Sequence, residues 1–212
     1  MRSGGKILLT LLLLASGVVF TQSASAQGPE FDVCYDFSCR SKSRVVLNRN
    51  EWSGVSRLFF PPAASPAEER KQIQRAVGLM EVMAGKYTPT YRDVARNSET
   101  LEDLTEANTG QLDCVDEAIN TTTYLRLFET AGLIRFHKVL DKAYRRALLN
   151  QHWAAEVVDN ISGESFIIDS WFRDNGEPPY VVRGEDWRNL SIFRRRARAP
   201  KRVDVSAREV GL

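Results

Sequence analysis

The stretch Gly110-Gln111-Leu112-Asp113-Cys114-Val115-Asp116-Glu117-Ala118 constrains this chain more than any other. A glycine turn leads to Asp113, whose short carboxylate suits a helix N-cap, and Asp116 three residues on completes a form of capping box. Ile119, Thr122, Leu125 and Phe128 then recur at helical spacing until Gly132, a natural stop. The pattern predicts a helix that starts at Cys114 and ends near Gly132. Cys114 then occupies the first helical position, where unpaired N–H groups and the helix dipole favour a thiolate. The competing reading is a small buried side chain at a helix start.

The first 26 residues read as a secretory leader. Arg2 and Lys6 form a basic start, Ile7 to Phe20 is apolar, and Ala24-Ser25-Ala26 supplies a cleavage pattern before Gln27. The fourteen-residue run from 7 to 20 falls short of the roughly twenty that a membrane span needs. An uncleaved anchor is the competing reading. A secreted or periplasmic chain with no membrane span after leader cleavage is expected. Without Arg2 and Lys6 the 29 basic residues become 27, which match the 27 acidic ones. A neutral body gives no electrostatic reason to expect a nucleic-acid partner.

Export changes how the three cysteines are read. Cys34 and Cys39 are natural partners for a small disulfide loop, and a metal site there lacks further nearby ligands. Cys114 is left over, and an odd thiol in an exported protein is a candidate reactive group.

Four segments are expected: the leader 1–26; an N-terminal piece 27–44 with the disulfide loop; a single domain 45–193; and an arginine-rich tail 194–212, read as a mobile end. Within the domain, 45–132 reads as helical and 133–193 as strand-rich. Helices are expected at 51–60, from Ser65-Pro66-Ala67-Glu68 to Gly85, and around 101–107. Strands are expected at 134–139, 153–158, 165–168 and 180–182, with turns at Asn160-Ile161-Ser162-Gly163 and Asp174-Asn175-Gly176. Helices followed by antiparallel strands indicate an α+β fold.

A reactive thiol needs a base and a group that orients the base. Two histidines exist. His152 opens an apolar strand, and the strand after it ends in Asp169. In an antiparallel hairpin the start of one strand lies beside the end of the next, so His152 and Asp169 are expected to be neighbours. Packing of the helix start against that edge would bring Cys114 to the imidazole, on the helix side of the sheet. His137 has no acid so placed and is read as a strand residue.

Asp113-Cys114-x-Asp116, His152-Trp153-Ala154-Ala155-Glu156-Val157 and Ile168-Asp169-Ser170-Trp171 together resemble the transglutaminase-like superfamily. Within it, the exported bacterial transglutaminase-like cysteine proteinases are the most similar, and the resemblance covers about residues 111 to 171. It implies a transglutaminase-like (papain-like) core: a helix carrying the cysteine, packed on an antiparallel sheet, here with extra N-terminal helices. It also implies Cys114 as nucleophile, His152 as base and Asp169 as orienting acid. The side chain of Gln111 is a candidate second oxyanion donor beside the Cys114 N–H. Some proteinases of this group bind calcium through acids beside the cysteine, where this chain has Asp113 and Asp116; capping explains both without a metal. No other cofactor is expected.

The expected function is that of an exported cysteine peptidase, acting on a protein or peptide amide bond through an acyl-thioester. The alternatives are an acyl-transferring, amide cross-linking member and a catalytically silent binding module of the same fold.

Overall fold

A computed structural model describes residues 27–97, 109–146 and 151–189. The leader, the helix expected around 101–107 and the arginine-rich tail lie outside the described residues.

The described chain is α+β. A two-stranded antiparallel sheet, β1 (Gln27–Tyr35) and β2 (Ser41–Asn48), precedes helices α1 (Arg49–Arg57) and α2 (Pro66–Gly85). A short 3-10 turn at Pro89–Arg92 follows, and then α3 (Cys114–Thr130). The second, antiparallel sheet holds β3 (His137–Val139), β4 (Ala143–Arg145), β5 (His152–Asp159), β6 (Ser165–Asp169) and β7 (Tyr180–Arg183). Its order is β3-β5-β6-β7, and β4 shares the β3 side of β5, beside residues 152–154. Helix α4 (Gly184–Arg188) follows β7. No helix among the described residues is long and apolar enough to cross a membrane.

The hairpin β1–β2 corrects the sequence expectation for residues 45–48, which were read as the start of a helical region. Phe31, Val33, Val45 and Leu47 alternate inward and are buried, whereas Glu30, Asp32 and Arg44 alternate outward. That period of two is a strand's. Arg44 bonds Asp32 at 2.6 Å and Glu30 at 2.5 Å across the exposed face. The helix starts only at Arg49, where Asn48 and Glu51 form a reciprocal capping box.

Helix α2 follows its signals: Ser65 caps the N–H of Glu68, proline sits in the first turn, and the helix ends at Gly85. Its Ile73, Val77 and Met80 join Tyr124, Leu125 and Phe128 of α3 and Ala155, Val157, Phe166 and Ile168 of the sheet in one core. Burying each large apolar side chain there contributes about 1.5–3 kcal/mol. A smaller core on the other face of the sheet joins Ala143, Ala154 and Ile167 to Trp187 of α4. The sheet is therefore covered on both faces, by α3 on one and by α4 on the other.

Candidate active site

The N-terminus of α3 forms as its sequence requires. Asp113 Oδ1 accepts the N–H groups of Val115 and Asp116, each at 2.9 Å, and the Asp116 carboxylate accepts the N–H of Asp113 at 3.3 Å. Cys114 is the first residue of the helix and is a partly exposed free thiol. Its neighbour in space is the Cys34–Cys39 disulfide loop. Asp36, Phe37, Ser38 and Cys39 all have φ between 54° and 65°, four successive non-glycine residues in the left-handed region. Each costs about 1–2 kcal/mol, so the surroundings must hold the turn.

The α3 N-terminus does so. Asp113 Oδ2 accepts the Ser38 N–H at 2.9 Å and its hydroxyl at 3.1 Å, and Asp116 Oδ1 accepts the Cys39 N–H at 2.6 Å. Asp36 in turn donates its N–H to the Gln111 carbonyl at 2.9 Å and accepts the Gly110 N–H at 2.7 Å. The approach to Cys114 is thereby stitched to the disulfide loop from both sides. Gly110 has φ of 97°, and a Cβ there would lie 2.2 Å from the Pro89 carbonyl, so only glycine fits.

His152 and Asp169 stand at the open and the end of adjacent strands. His152 Nε2 lies 2.9 Å from Asp169 Oδ2 and 3.1 Å from Oδ1, with both side chains only 2 % and 1 % exposed. The imidazole is also close enough to the Cys114 side chain to interact with it. Nε2 is committed to the carboxylate, which leaves Nδ1 as the nitrogen available to the thiol. Burial works against the imidazolium, but the hydrogen bonds and charges of Asp169 and Cys114 outweigh it, and the pKa of His152 is raised to about 9.

The three groups do not meet on one face, as the sequence reading expected. Alternation places His152 with Ala154 and Asp169 with Ile167, on the face that Trp187 covers. Ser170, the next residue after Asp169, turns the other way, to the Thr121 hydroxyl of α3 at 3.2 Å. Cys114, at the start of α3, is nevertheless close enough to the imidazole to interact with it.

No family model, curated protein or solved structure matches this chain.

The remaining candidates fall as follows. Gln111 donates Nε2 to the Arg92 carbonyl at 2.7 Å, and its Oε1 accepts from the N–H of Val94 at 3.3 Å and from Asn97 Nδ2. Its amide therefore anchors residues 92–97. Both carboxylates beside Cys114 receive protein donors on every oxygen, so Asp113 and Asp116 do not fit a calcium site in this arrangement. Among the described residues no group of three or more His, Cys, Asp or Glu has metal-site geometry. Trp171 packs tilted against the His152 ring, 5.0 Å between centres, whereas Trp153 packs tilted against the half-exposed Tyr144 at 4.6 Å.

His137 has an acid after all. Its Nδ1 lies 2.9 Å from Oε1 of Glu69, which also takes the N–H groups of Phe136 and His137. Arg70 Nη1, which can only donate, sits 3.1 Å from Nε2, so the proton is on Nδ1. This pair ties α2 to β3 on the far side of the core from any thiol.

Sequence reasoning missed two further features. Trp187 donates Nε1 to Asp169 Oδ2 at 3.0 Å. Its signal, an aromatic in a five-residue helix after the last strand, is too short for periodicity to find. The second is a set of buried acids around the start of α3: Glu81 of α2, Asp93, and Asp116 and Glu117. Burial is the first cause in each; repulsion among them adds to it for Asp93 and Glu117, and repulsion from Asp113 adds to it for Asp116. The carboxyls rise to about 7 for Glu81 and Asp116 and about 8 for Asp93, and Glu117 goes well above the ordinary range.

Proposed function

We propose that this chain is an exported thiol enzyme of the transglutaminase-like (papain-like) fold, and that it hydrolyses an amide bond of a protein or peptide through an acyl-thioester on Cys114. The observation that carries the reading is the His152 imidazole, held by Asp169 through Nε2 and close enough to the Cys114 thiol to interact with it. The Cys34–Cys39 disulfide supports an oxidising destination.

The chemistry follows from the placement. The Cys114 proton passes to His152 Nδ1, and the sulfur attacks the carbonyl carbon. The N–H of Cys114 takes no part in the Asp113 cap, which engages Val115 and Asp116, and it stands as an oxyanion donor. As the tetrahedral adduct collapses, the imidazolium gives its proton to the leaving nitrogen. The neutral imidazole then takes a proton from water, which cleaves the thioester and regenerates the thiol. Asp169 keeps its charge and holds the ring in the productive tautomer throughout.

A peptidyl vinyl sulfone tests this. One equivalent should add to Cys114 of the native protein by intact mass and stop hydrolysis of a mixed peptide library. Cys114→Ser should abolish both. Modification only after unfolding, with no hydrolysis by native protein, would leave the fold as a binding module.

A further inference from the structure

Beyond the three residues of the proposed site, the structure places a buried cation and an indole against them. Arg145 ends β4 directly opposite His152 in the β4–β5 register and is 4 % exposed. Tyr144 and Trp153, the adjacent cross-strand pair, point the other way and pack tilted against each other. The guanidinium carbon of Arg145 lies 4.5 Å from the Trp187 ring centre, and Nη1 donates to the Trp187 carbonyl at 2.8 Å. Trp187 is fully buried, packs 5.8 Å from the His152 ring, and donates Nε1 to Asp169 Oδ2. Arg145 is also close enough to interact electrostatically with both Asp169 and Cys114.

We propose that Arg145 and Trp187 are positioning residues of this site: Trp187 fixes the Asp169 carboxylate toward the imidazole, and Arg145 clamps Trp187 and supplies a second positive charge beside the thiol. The inference rests on the catalytic reading of Cys114, His152 and Asp169.

Charge counting shows why a second cation is needed. A thiolate–imidazolium pair with an ionised Asp169 carries two negative charges and one positive, with the imidazole and the carboxylate buried and the thiol partly exposed. An uncompensated buried charge is costly. Arg145 brings the group to two of each sign, and arginine keeps its charge when buried, where a lysine readily loses it. The indole N–H donates to Oδ2, the oxygen nearer to Nε2, so that this oxygen is held from two directions and the carboxylate is kept facing the imidazole. Helix α4 is itself secured by Arg188, which bonds both oxygens of Glu156 on β5 at 2.8 and 2.9 Å.

The test is the pH profile of Cys114 alkylation by iodoacetamide, a neutral reagent, in the full mature chain. Wild type should react in mildly acid buffer through a limb that His152→Ala removes; absence of that limb in wild type sinks the catalytic reading itself. With the limb present, Arg145→Met should lower the acid rate roughly tenfold, as expected for about one unit of displacement of the profile. Arg145→Lys should restore part of it. Trp187→Phe, which keeps the ring and removes the N–H, should displace the profile in the same direction. Circular dichroism separates a folded variant from a failed one. If Arg145→Met does not fold, Arg145→Lys and Trp187→Phe decide the matter alone. Folded variants with the wild-type profile would overturn the inference.

Discussion

Asp113 Oδ2 accepts the Ser38 N–H at 2.9 Å while its Oδ1 closes the first turn of α3. One carboxylate therefore holds a strained left-handed turn and the helix that carries the free thiol. Asp113→Ala should destabilise the protein by about 1–2 kcal/mol, the cost of losing a helix cap. For a domain of this size that is a fall of about 2–8 °C in Tm. Asp113→Asn keeps an acceptor and should recover most of the loss. Thermal melts of the two variants check this, and equal melts would mean that the carboxylate caps nothing of consequence.

The disulfide should matter for order as well as for stability. Replacing both Cys34 and Cys39 by serine frees a short loop and should cost about 2 kcal/mol. Hydrogen exchange gives the sharper readout. The amides of Asp36, Ser38 and Cys39, which bond Gln111, Asp113 and Asp116, should lose protection, while those inside α2 keep theirs relative to global stability.

Buried acids set the pH dependence. Glu81, Asp93 and Asp116 have folded pKa values of about 7, 8 and 7, above their ordinary range, so the folded state binds protons more tightly than the unfolded one. Their contribution is greatest at low pH and is lost as pH rises from about 4 through 8. His152 adds a loss of the same sign between its ordinary 6.5 and its raised value of about 9. Glu69 works the other way: burial alone would raise it, but His137 and the N–H groups of Arg135 and Phe136 outweigh that and lower it. Its stabilisation disappears as pH falls through the folded value. Stability should peak in mildly acid buffer and decline toward pH 8. Asp93→Asn, which keeps an acceptor for the Leu112 N–H at 2.7 Å, should flatten the decline. Urea midpoints from pH 4 to 9 measure it.

Legibility in the sequence followed the strength of local chemistry. Caps and stops located α2 and α3 closely, since Ser65, Asp113 and Gly132 each satisfy orphan backbone groups at one spot. Strands β5 and β6 were legible from their apolar, β-branched runs, and antiparallel pairing alone brought His152 beside Asp169. The hairpin β1–β2 was partly hidden because its outward positions carry charge and its first residues are polar. The left-handed turn at residues 36–39 was not legible at all. It contains no glycine, and its stability comes from Asp113 and Asp116 some 75 residues away in sequence. Arg145 and Trp187 were missed for a related reason: β4 has three residues and α4 five, too few to show a period. The face on which His152 lies was misjudged because alternation fixes which residues share a side but not which side α3 covers.

The two histidines provide the sharpest contrast. Both are buried and both hydrogen-bond a carboxylate at 2.9 Å, so burial and pairing do not tell them apart. Their second partners do: Arg70 for His137, the Cys114 thiol for His152. His137→Gln should therefore cost stability, because Glu69 loses a partner inside the core, and leave the acid limb of Cys114 alkylation where it is in the folded fraction. His152→Gln should leave the melting curve closer to wild type in alkaline buffer than in acid, since its ion pair fades as pH rises toward 9. It should also remove the acid limb of alkylation, because no imidazolium remains beside the sulfur. Asp169→Asn should weaken that limb less, since the ring survives but loses the partner that sets its tautomer. Rates measured from pH 4 to 9 on the three variants separate the roles. A thiol that responds to His137 and ignores His152 would reverse the assignment.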